Sequence, residues 1–294
     1  MKIYAKPLPF LRNPAVQKEI QALDPVKDHC RIVYLMTGYE FPWDSVRALE
    51  IALFRTFCSP NISRLLHKTG EFHHQGKKRY DDTALLIAEF MQNGYDSERG
   101  REAIARMNHI HGHFKIENED FLFVLATFIY IPFRWIERFG WRKVSDNERL
   151  ALYYFFYETG KRMNIKDIPT NIDSFESFLK DYENRNFVYS DTNKAVADST
   201  INIVKGWLPF FLRPFVPPIL KCFLDEKMLL AFSYRKPSPL IKTMLAAAMK
   251  IRAFALRYFT FMRYPYFFNE AKNRTYPKGY TVKNLLPSYL SKKD

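Results

Sequence analysis

The chain has little glycine, and this shortage disfavours several common nucleotide-binding and hydrolase folds. Only 10 of its 294 residues are Gly, and no two of them stand two positions apart. It therefore contains neither the G-x-G-x-x-G turn of dinucleotide-binding folds nor the G-x-x-x-x-G-K-[ST] loop of P-loop ATPases. The G-x-S-x-G turn of α/β-hydrolases is missing as well. A standard nucleotide-binding fold and an ordinary hydrolase are thus disfavoured.

Cysteines and long apolar runs are also scarce. Cys30, Cys58 and Cys222 are widely spaced and form no C-x-x-C, which disfavours a disulfide framework or a thiolate zinc site and predicts a reducing compartment. The longest uncharged apolar stretch, residues 121–133, has thirteen residues, whereas a membrane span needs about 20. Residues 1–11 lack the apolar core of a signal peptide. We therefore expect a cytoplasmic protein without a signal peptide or a transmembrane helix.

Aromatic residues and helical periodicity are plentiful. The chain has 27 Phe, 18 Tyr and 4 Trp, enough to line a large apolar interior. Apolar residues recur at helical spacing and strand-like alternation is rare, so the sequence predicts an all-α protein with residues 1–294 in a single domain. The predicted helices cover residues 43–57, 82–92, 97–111, 120–137, 146–163, 173–185 and 238–262.

Positive charge is concentrated in the last third of the chain. Residues 201–294 hold 17 Lys and Arg against 4 Asp and Glu, a net charge of +13, whereas residues 1–200 hold 28 against 27. Such a region suits a partner that carries phosphates, either an anionic lipid surface or a nucleic acid. No recognised nucleic-acid-binding motif is present, so nucleic acid is the weaker of the two.

The predicted helix 238–262 carries much of this charge. Its basic residues fall within an arc of about 160° on a helical projection, and they are Lys242, Lys250, Arg252, Arg257 and Arg263. The other side carries Ile241, Met244, Ala248, Ile251, Ala255, Phe259 and Met262. We expect this apolar arc to pack into the core. The basic arc, with the tail at 264–294 (Lys272, Arg274, Lys278 and Lys283), would then face outward and adsorb reversibly to an anionic membrane.

Three of the seven histidines stand close together in the string Asn-His-Ile-His-Gly-His at 108–113. In a strand, alternate histidines would share a face and form a metal site. The preceding residues favour a helix, on which Ile104, Met107 and His111 share one apolar stripe and His109 points elsewhere. His111 is then either a core histidine bonded to a backbone carbonyl or an axial ligand of a haem iron. A di-iron bundle is disfavoured because it needs two Glu-x-x-His motifs and the chain has a single one, at Glu71 and His74.

Arg79 and Thr83 stand four residues apart, above an apolar helix face. They could face one ligand, with the guanidinium of Arg79 holding a propionate. They could equally form an ordinary N-terminal turn in which Asp81 or Asp82 caps the helix and Arg79 is solvated. These residues alone leave both interpretations open.

Seven short strings together resemble the catalytic domain shared by ER-bound oxygenases of the mpaB type and rubber oxygenases (latex clearing proteins). The resemblance covers about residues 25–260. The strings are Glu40-Phe-Pro-Trp-Asp44, Ala48-Leu-Glu-Ile-Ala-Leu-Phe-Arg-Thr-Phe57, Thr69-Gly-Glu-Phe72, Lys78-Arg-Tyr-Asp-Asp-Thr83, Met107-Asn-His-Ile-His111, Trp141-Arg142 and Gly160-Lys-Arg-Met-Asn-Ile165.

The resemblance implies a globin-like, all-helical haem b protein that cleaves carbon–carbon double bonds of isoprenoid chains with O₂. His111 would be the proximal iron ligand, and Arg79 and Thr83 would be pocket residues beside the haem. Rubber oxygenases have a Lys just before that Thr, where this chain has Asp82. Their distal lysine has no clear counterpart here, and Glu71 is a candidate for their proposed catalytic glutamate.

Two functions are therefore expected to compete. The first is a haem-dependent oxygenase that acts with O₂ on an apolar, isoprenoid or lipid-like substrate. The alternative is a non-enzymatic helical module that docks on anionic membranes through its basic C-terminal third.

Overall fold

The structure is a computed structural model that describes residues 14–259, 265–288 and 290. Within these ranges it contains fourteen α-helices and no β-strand, so the predicted all-α class is confirmed. The helices are α1 (Ala15–Ala22), α2 (His29–Leu35), α3 (Pro42–Thr56), α4 (Pro60–Thr69), α5 (Glu71–His74), α6 (Gly76–Asn93), α7 (Glu98–His111), α8 (Asn118–Phe139), α9 (Asp146–Arg162), α10 (Ile172–Asn186), α11 (Asp191–Gly206), α12 (Val216–Lys221), α13 (Glu226–Ala231) and α14 (Pro239–Tyr258).

Helix α8 lies at the centre of the core. It contains the apolar stretch 121–133, and 15 of its 22 residues are buried. It packs along α3 on one side and against α9 and α10 on others. A helix that is apolar around most of its circumference has to be covered by neighbours, which is why three helices surround it. No helix in the described ranges is long and apolar enough to span a membrane.

Buried ion pairs connect the helices around this core. Arg142, just before α9, donates to Glu40 at 2.8 Å and to Glu148 at 2.7 Å, and both carboxylates are buried. The indole Nε1 of Trp141 donates to the carbonyl of Glu40 at 2.9 Å. These contacts tie the π-helical turn Met36–Glu40 to the start of α9. Glu40, Trp141 and Arg142, three residues of the resemblance strings, are therefore part of the framework.

Helix boundaries differ from the predicted ones most clearly at α6. The helix begins at Gly76, six residues before the predicted start, so Asp81 and Asp82 lie inside it. The interpretation in which one of them caps the helix is therefore wrong. His67 lies in α4, and His73 and His74 form the end of α5.

The prediction for the long basic helix is wrong in its orientation. Met249 is buried and Leu245 packs against the core, whereas Met244 and Ile251 of the predicted inner arc are exposed. Arg252, assigned to the outer basic arc, instead donates through both guanidinium Nη atoms to Asp44, at 3.0 and 2.9 Å. Met262 of the predicted apolar arc and Arg263 of the predicted basic arc lie outside the described residues.

The C-terminal segment 265–288 packs on α6 and α7. The hydroxyl of Tyr276 donates to Asp82 at 2.5 Å, and those of Thr275 and Tyr280 donate to Asp81 and Glu89. Helix α14 packs mainly against α8 and α12 instead. The tail therefore covers a different side of the molecule, and the expected joint basic face with α14 is not formed.

Candidate functional site

A central cavity of about 840 Å³ opens between α3, α4, α6, α7 and α8. Ligand and cofactor sites typically have volumes of about 300–1,000 Å³ and mostly apolar walls. The walls of this cavity are mainly apolar, and they include Leu53, Ile87, Met107, Phe121, Phe128 and Phe156. Its size and lining therefore suit a large apolar ligand or cofactor.

Helix α7 places His111 in the wall of the central cavity. The helix starts at a cap in which the hydroxyl of Ser97 accepts from the amide of Gly100 at 2.9 Å. Because the start of α7 sets which residues share its inner face, Ile104 is buried, and Met107 and His111 line the cavity. His109 is exposed and packs against the ring of His113. The strand-type metal site is therefore wrong, because these histidines are divided between a cavity wall and the surface.

His111 has the properties of an unpaired neutral imidazole. Its Nδ1 is buried and has no hydrogen-bond partner among the described residues, and its ring stands edge-on to Phe121 at 5.4 Å between centroids. Burial, helped by the nearby positive charge of Arg79, lowers the pKa of His111 from 6.5 to about 4. The ring is therefore neutral at physiological pH, the state in which imidazole binds metals.

This lowered pKa predicts an acid-sensitive contribution to stability. Between pH 6.5 and 4 the unfolded chain binds a proton at His111 that the folded protein does not bind, so the free energy of unfolding falls as pH falls through this window. A shift of this size corresponds to about 3 kcal/mol. We expect His111→Gln to remove most of that dependence in haem-free protein, measured by denaturant unfolding at pH 7 and pH 4.5.

The matched control for this experiment is His109→Gln, two residues earlier on the same helix and exposed. In this variant, the difference in the free energy of unfolding between pH 7 and pH 4.5 should equal that of the wild type. An identical pH dependence in His111→Gln and wild type would show that His111 is not held neutral by its surroundings.

Arg79 and Thr83 line the same cavity as His111. They lie one turn apart on α6, which packs against α7. The hydroxyl of Thr83 donates to the carbonyl of Arg79 at 2.9 Å, and the guanidinium of Arg79 donates to that hydroxyl in turn. The same guanidinium stands over the ring of Phe72 at 5.8 Å from its centroid. The three predicted site residues are thus brought together at one wall.

Asp82, the position at which rubber oxygenases have a lysine, does not line the cavity. Its carboxylate accepts from Lys78 Nζ at 2.6 Å and from the Tyr276 hydroxyl, on the side covered by the tail. Burial raises its pKa, and the hydrogen bonds from these two partners oppose that rise. This departure therefore changes how the tail is held and leaves the cavity wall unaffected.

Glu71, Glu50 and Tyr80 are among the further polar residues that line the cavity, and no local sequence pattern predicts the last two as site residues. Glu71 is buried, and its Oε2 has no hydrogen-bond partner in the part of the chain that the structure describes. Glu50 accepts from the Tyr80 hydroxyl, and it accepts from Arg47 Nη2 at 2.7 Å. Burial raises the pKa of Glu50, and the charge of Arg47 offsets only part of that rise. Thirty residues separate Glu50 from Tyr80, so no local pattern predicts their contact.

The chain is all-α and encloses a large, mainly apolar cavity with a neutral histidine in its wall. These features indicate a helical protein that binds an apolar ligand or cofactor. The sequence model of one such family, described as ER-bound oxygenase mpaB/B'/rubber oxygenase, catalytic domain, matches residues 46–249. The chain belongs to this family of oxygenases, which are oxidoreductases. Arg79, Thr83 and His111 all lie within the matched region.

Individual relatives agree with the family match. The chain is 32% identical over 241 residues to the ER-bound oxygenase mpaB' of Penicillium brevicompactum. This alignment covers 76% of this chain and 57% of that protein. It is also 32% identical over 213 residues to the ER-bound oxygenase mpaB of Penicillium roqueforti, covering 66% of this chain and 72% of the relative. The alignment thus spans little more than half the length of the P. brevicompactum protein.

Proposed function

We propose that this protein is a haem-dependent oxygenase that cleaves carbon–carbon double bonds of an apolar, isoprenoid or lipid-like substrate with O₂. One observation carries the proposal: a neutral histidine with an unpaired buried ring nitrogen lies in the wall of a large, mainly apolar cavity. Family membership favours this enzymatic role over a non-enzymatic docking module.

The residues present fit a haem b group. A neutral imidazole can hold the iron of a haem group. His111 could do so without breaking a hydrogen bond at its buried Nδ1, which has no partner among the described residues. Arg79 would place a positive charge near a propionate, since it lies close enough to His111 to lower that residue's pKa. The described residues contain no cluster of three or more His, Cys, Asp or Glu side chains that could hold a metal ion. His111 would hold the iron of a bound haem through its imidazole.

The chain's own residues would bind and orient the substrate. Bound haem would supply the activation of O₂. The apolar walls would hold a hydrocarbon chain and exclude water, which strengthens every electrostatic interaction inside the cavity. Thr83 would fix the guanidinium of Arg79 through their reciprocal contact. Glu71 Oε2, which is buried and has no hydrogen-bond partner among the described residues, would offer an acceptor to a polar group of the substrate, and the Tyr80 hydroxyl donates to Glu50.

Absorption spectra of the purified protein, oxidised and reduced, test the proposal. We expect the Soret band of a b-type haem at about one haem per chain, either as purified or after haem is added. Incubation with O₂ and an unsaturated isoprenoid should then give two carbonyl ends for each double bond cleaved. Protein that remains colourless in the presence of added haem would refute the haem-dependent function.

Arg79 should contribute to cofactor affinity through its charge. We expect Arg79→Ala to weaken haem binding about tenfold, because a charge-assisted hydrogen bond contributes about 1.5–3 kcal/mol. Thr83→Val, which keeps the side-chain shape and removes the hydroxyl, should have a smaller effect in the same direction. Affinity is measured by haem titration in the absorption spectrum.

Arg101→Ala provides the control for Arg79→Ala, since Arg101 is exposed on α7 and does not line the cavity. It should bind haem as the wild type does. Unchanged haem affinity and activity in Arg79→Ala would remove Arg79 from the site.

A further inference from the structure

Helix α14 presents an apolar stripe to the outside of the protein. Five large side chains lie on its outer face, each between 49% and 70% exposed. Their positions fall within about 80° of one another on a helical projection. We call them the α14 stripe, and they are Leu240, Met244, Ile251, Phe254 and Tyr258.

The outward direction of the α14 stripe is fixed by contacts on the opposite side of the helix. Arg252 forms a bidentate pair with Asp44, which is buried and also accepts from the indole of Trp135 at 3.1 Å. The guanidinium of Arg252 also stands over the ring of Trp43, at 4.1 Å from its centroid. Turning the stripe inward would leave the Asp44 carboxylate buried without its cation, at a cost of several kcal/mol. The exposure of the stripe is therefore built into the fold.

A second group of exposed apolar side chains lies on neighbouring elements. Phe210, Phe211 and Phe215 belong to the 3₁₀ turn Phe210–Phe215, and Ile219 follows on α12, with exposures between 40% and 80%. Helix α12 packs against both this turn and α14. The two groups together form what we call the outer apolar surface. Concentrations of exposed apolar side chains of this kind mark interaction sites, whereas scattered single ones do not.

The charges around the outer apolar surface are positive. Residues 206–224 and 227–269 contain ten Lys and Arg and no Asp or Glu. The two acidic residues between these stretches are engaged, Asp225 with Arg55 at 2.5 Å and Glu226 with Lys236 at 2.6 Å. On α14 itself, Lys242, Lys250 and Arg257 are exposed.

We propose that the outer apolar surface docks on the surface of an anionic phospholipid bilayer. An exposed aliphatic and aromatic face bordered by Lys and Arg is the pattern of helices that lie in the membrane interface, with apolar side chains in the acyl boundary and cations near the phosphates. Each cation near an anionic bilayer adds modest attraction, and the apolar side chains supply the rest. The mode of docking thus differs from adsorption through a purely basic face.

The docking surface and the central cavity share one stretch of chain. Trp207 and Leu220 line the cavity, and along the chain they flank the exposed side chains of Phe210, Phe211, Phe215 and Ile219. Docking would therefore bring this wall of the cavity to the lipid. That consequence rests on the proposed function, because it gives an apolar substrate dissolved in lipid a short path to the site.

Co-sedimentation with vesicles tests the docking. Full-length protein is mixed with phosphatidylcholine vesicles with and without phosphatidylserine, at about 50 and 500 mM salt. We expect binding that is strongest with phosphatidylserine at low salt. Replacing Phe210, Phe211, Ile251 and Phe254 together by Ser should lower binding about tenfold or more, because each contributes apolar burial.

Two further variants keep the test falsifiable. Lys242→Ser with Lys250→Ser and Arg257→Ser should weaken binding to phosphatidylserine vesicles and leave any binding to phosphatidylcholine alone unchanged. The control is Val26→Ser with Val188→Ser, two exposed aliphatic side chains elsewhere, which should bind as the wild type does. If the four-serine variant does not fold, Ile251→Ser with Phe254→Ser replaces it.

Three results would overturn the docking proposal. They are wild-type protein that binds neither kind of vesicle, a four-serine variant that binds like the wild type, and wild-type protein that dimerises through these residues without binding lipid. Haem binding is measured in the same samples after haem is added, because protein that stays colourless and still binds vesicles would refute the proposed function and leave the docking intact.

Discussion

His111→Ala is expected to lower the haem affinity of the protein about 100-fold or more, with loss of most of the Soret absorbance. Even changes in the groups that support a metal-ligating histidine cost about 10–100-fold, and here the ligand itself is removed. The buried Nδ1 has no hydrogen-bond partner among the described residues for Ala to remove, and the ring lies on a cavity wall, so the fold should survive. Haem titration and thermal unfolding of the same samples measure the two effects separately.

The control for this substitution is His109→Ala, which removes an exposed histidine from the same helix and should keep full haem occupancy. A second variant, His111→Gly, leaves room for free imidazole, and added imidazole should restore the Soret band. Full occupancy and an unchanged spectrum in His111→Ala would mean that another residue binds the iron, and His113 would then be examined.

Arg142→Met is expected to destabilise the protein by about 4 kcal/mol at pH 7. The substitution leaves the carboxylates of Glu40 and Glu148 buried without the cation that joins them. Breaking a buried ion pair by removing one partner typically costs about 3–5 kcal/mol. Denaturant unfolding at pH 7 measures the loss.

Arg134→Met is the matched control, because Arg134 pairs with Glu176 at 3.2 Å and both side chains are about one-third exposed. A pair of that kind contributes at most about 1 kcal/mol. Adding Glu148→Gln to Arg142→Met should recover part of the lost stability. A loss in Arg142→Met no larger than that in Arg134→Met would contradict the framework role of the buried cluster.

Local patterns were sufficient to predict the helical parts of the site. Ser97 marks the start of α7, and counting at offsets of three and four from Ile104 brings His111 to the cavity wall, as the structure has it. The same counting predicts that Arg79 and Thr83 share a face of α6. These relations lie within one helix, where 3.6 residues per turn fix the geometry.

Contacts between distant parts of the chain could not be predicted in this way. Asp44 and Arg252 are 208 residues apart, and their pairing decides which side of α14 faces the core. A helical projection shows that an apolar stripe exists, but the side that is covered depends on the neighbouring helices. Glu50 and Tyr80 meet for the same reason across two helices. The sequence therefore predicted the helix of His111 well and the orientation of α14 poorly.

The packing of the tail on α6 bears on where this protein can be divided. The match to the family model ends at residue 249, yet hydroxyls of Thr275, Tyr276 and Tyr280 donate to three buried carboxylates of the helix that carries Arg79. A fragment cut at the edge of the family match would remove one hydroxyl donor from each of those carboxylates. The stretch that matches the family model is thus shorter than the stretch that packs together. A chimera made with a relative should therefore transfer the tail together with α6.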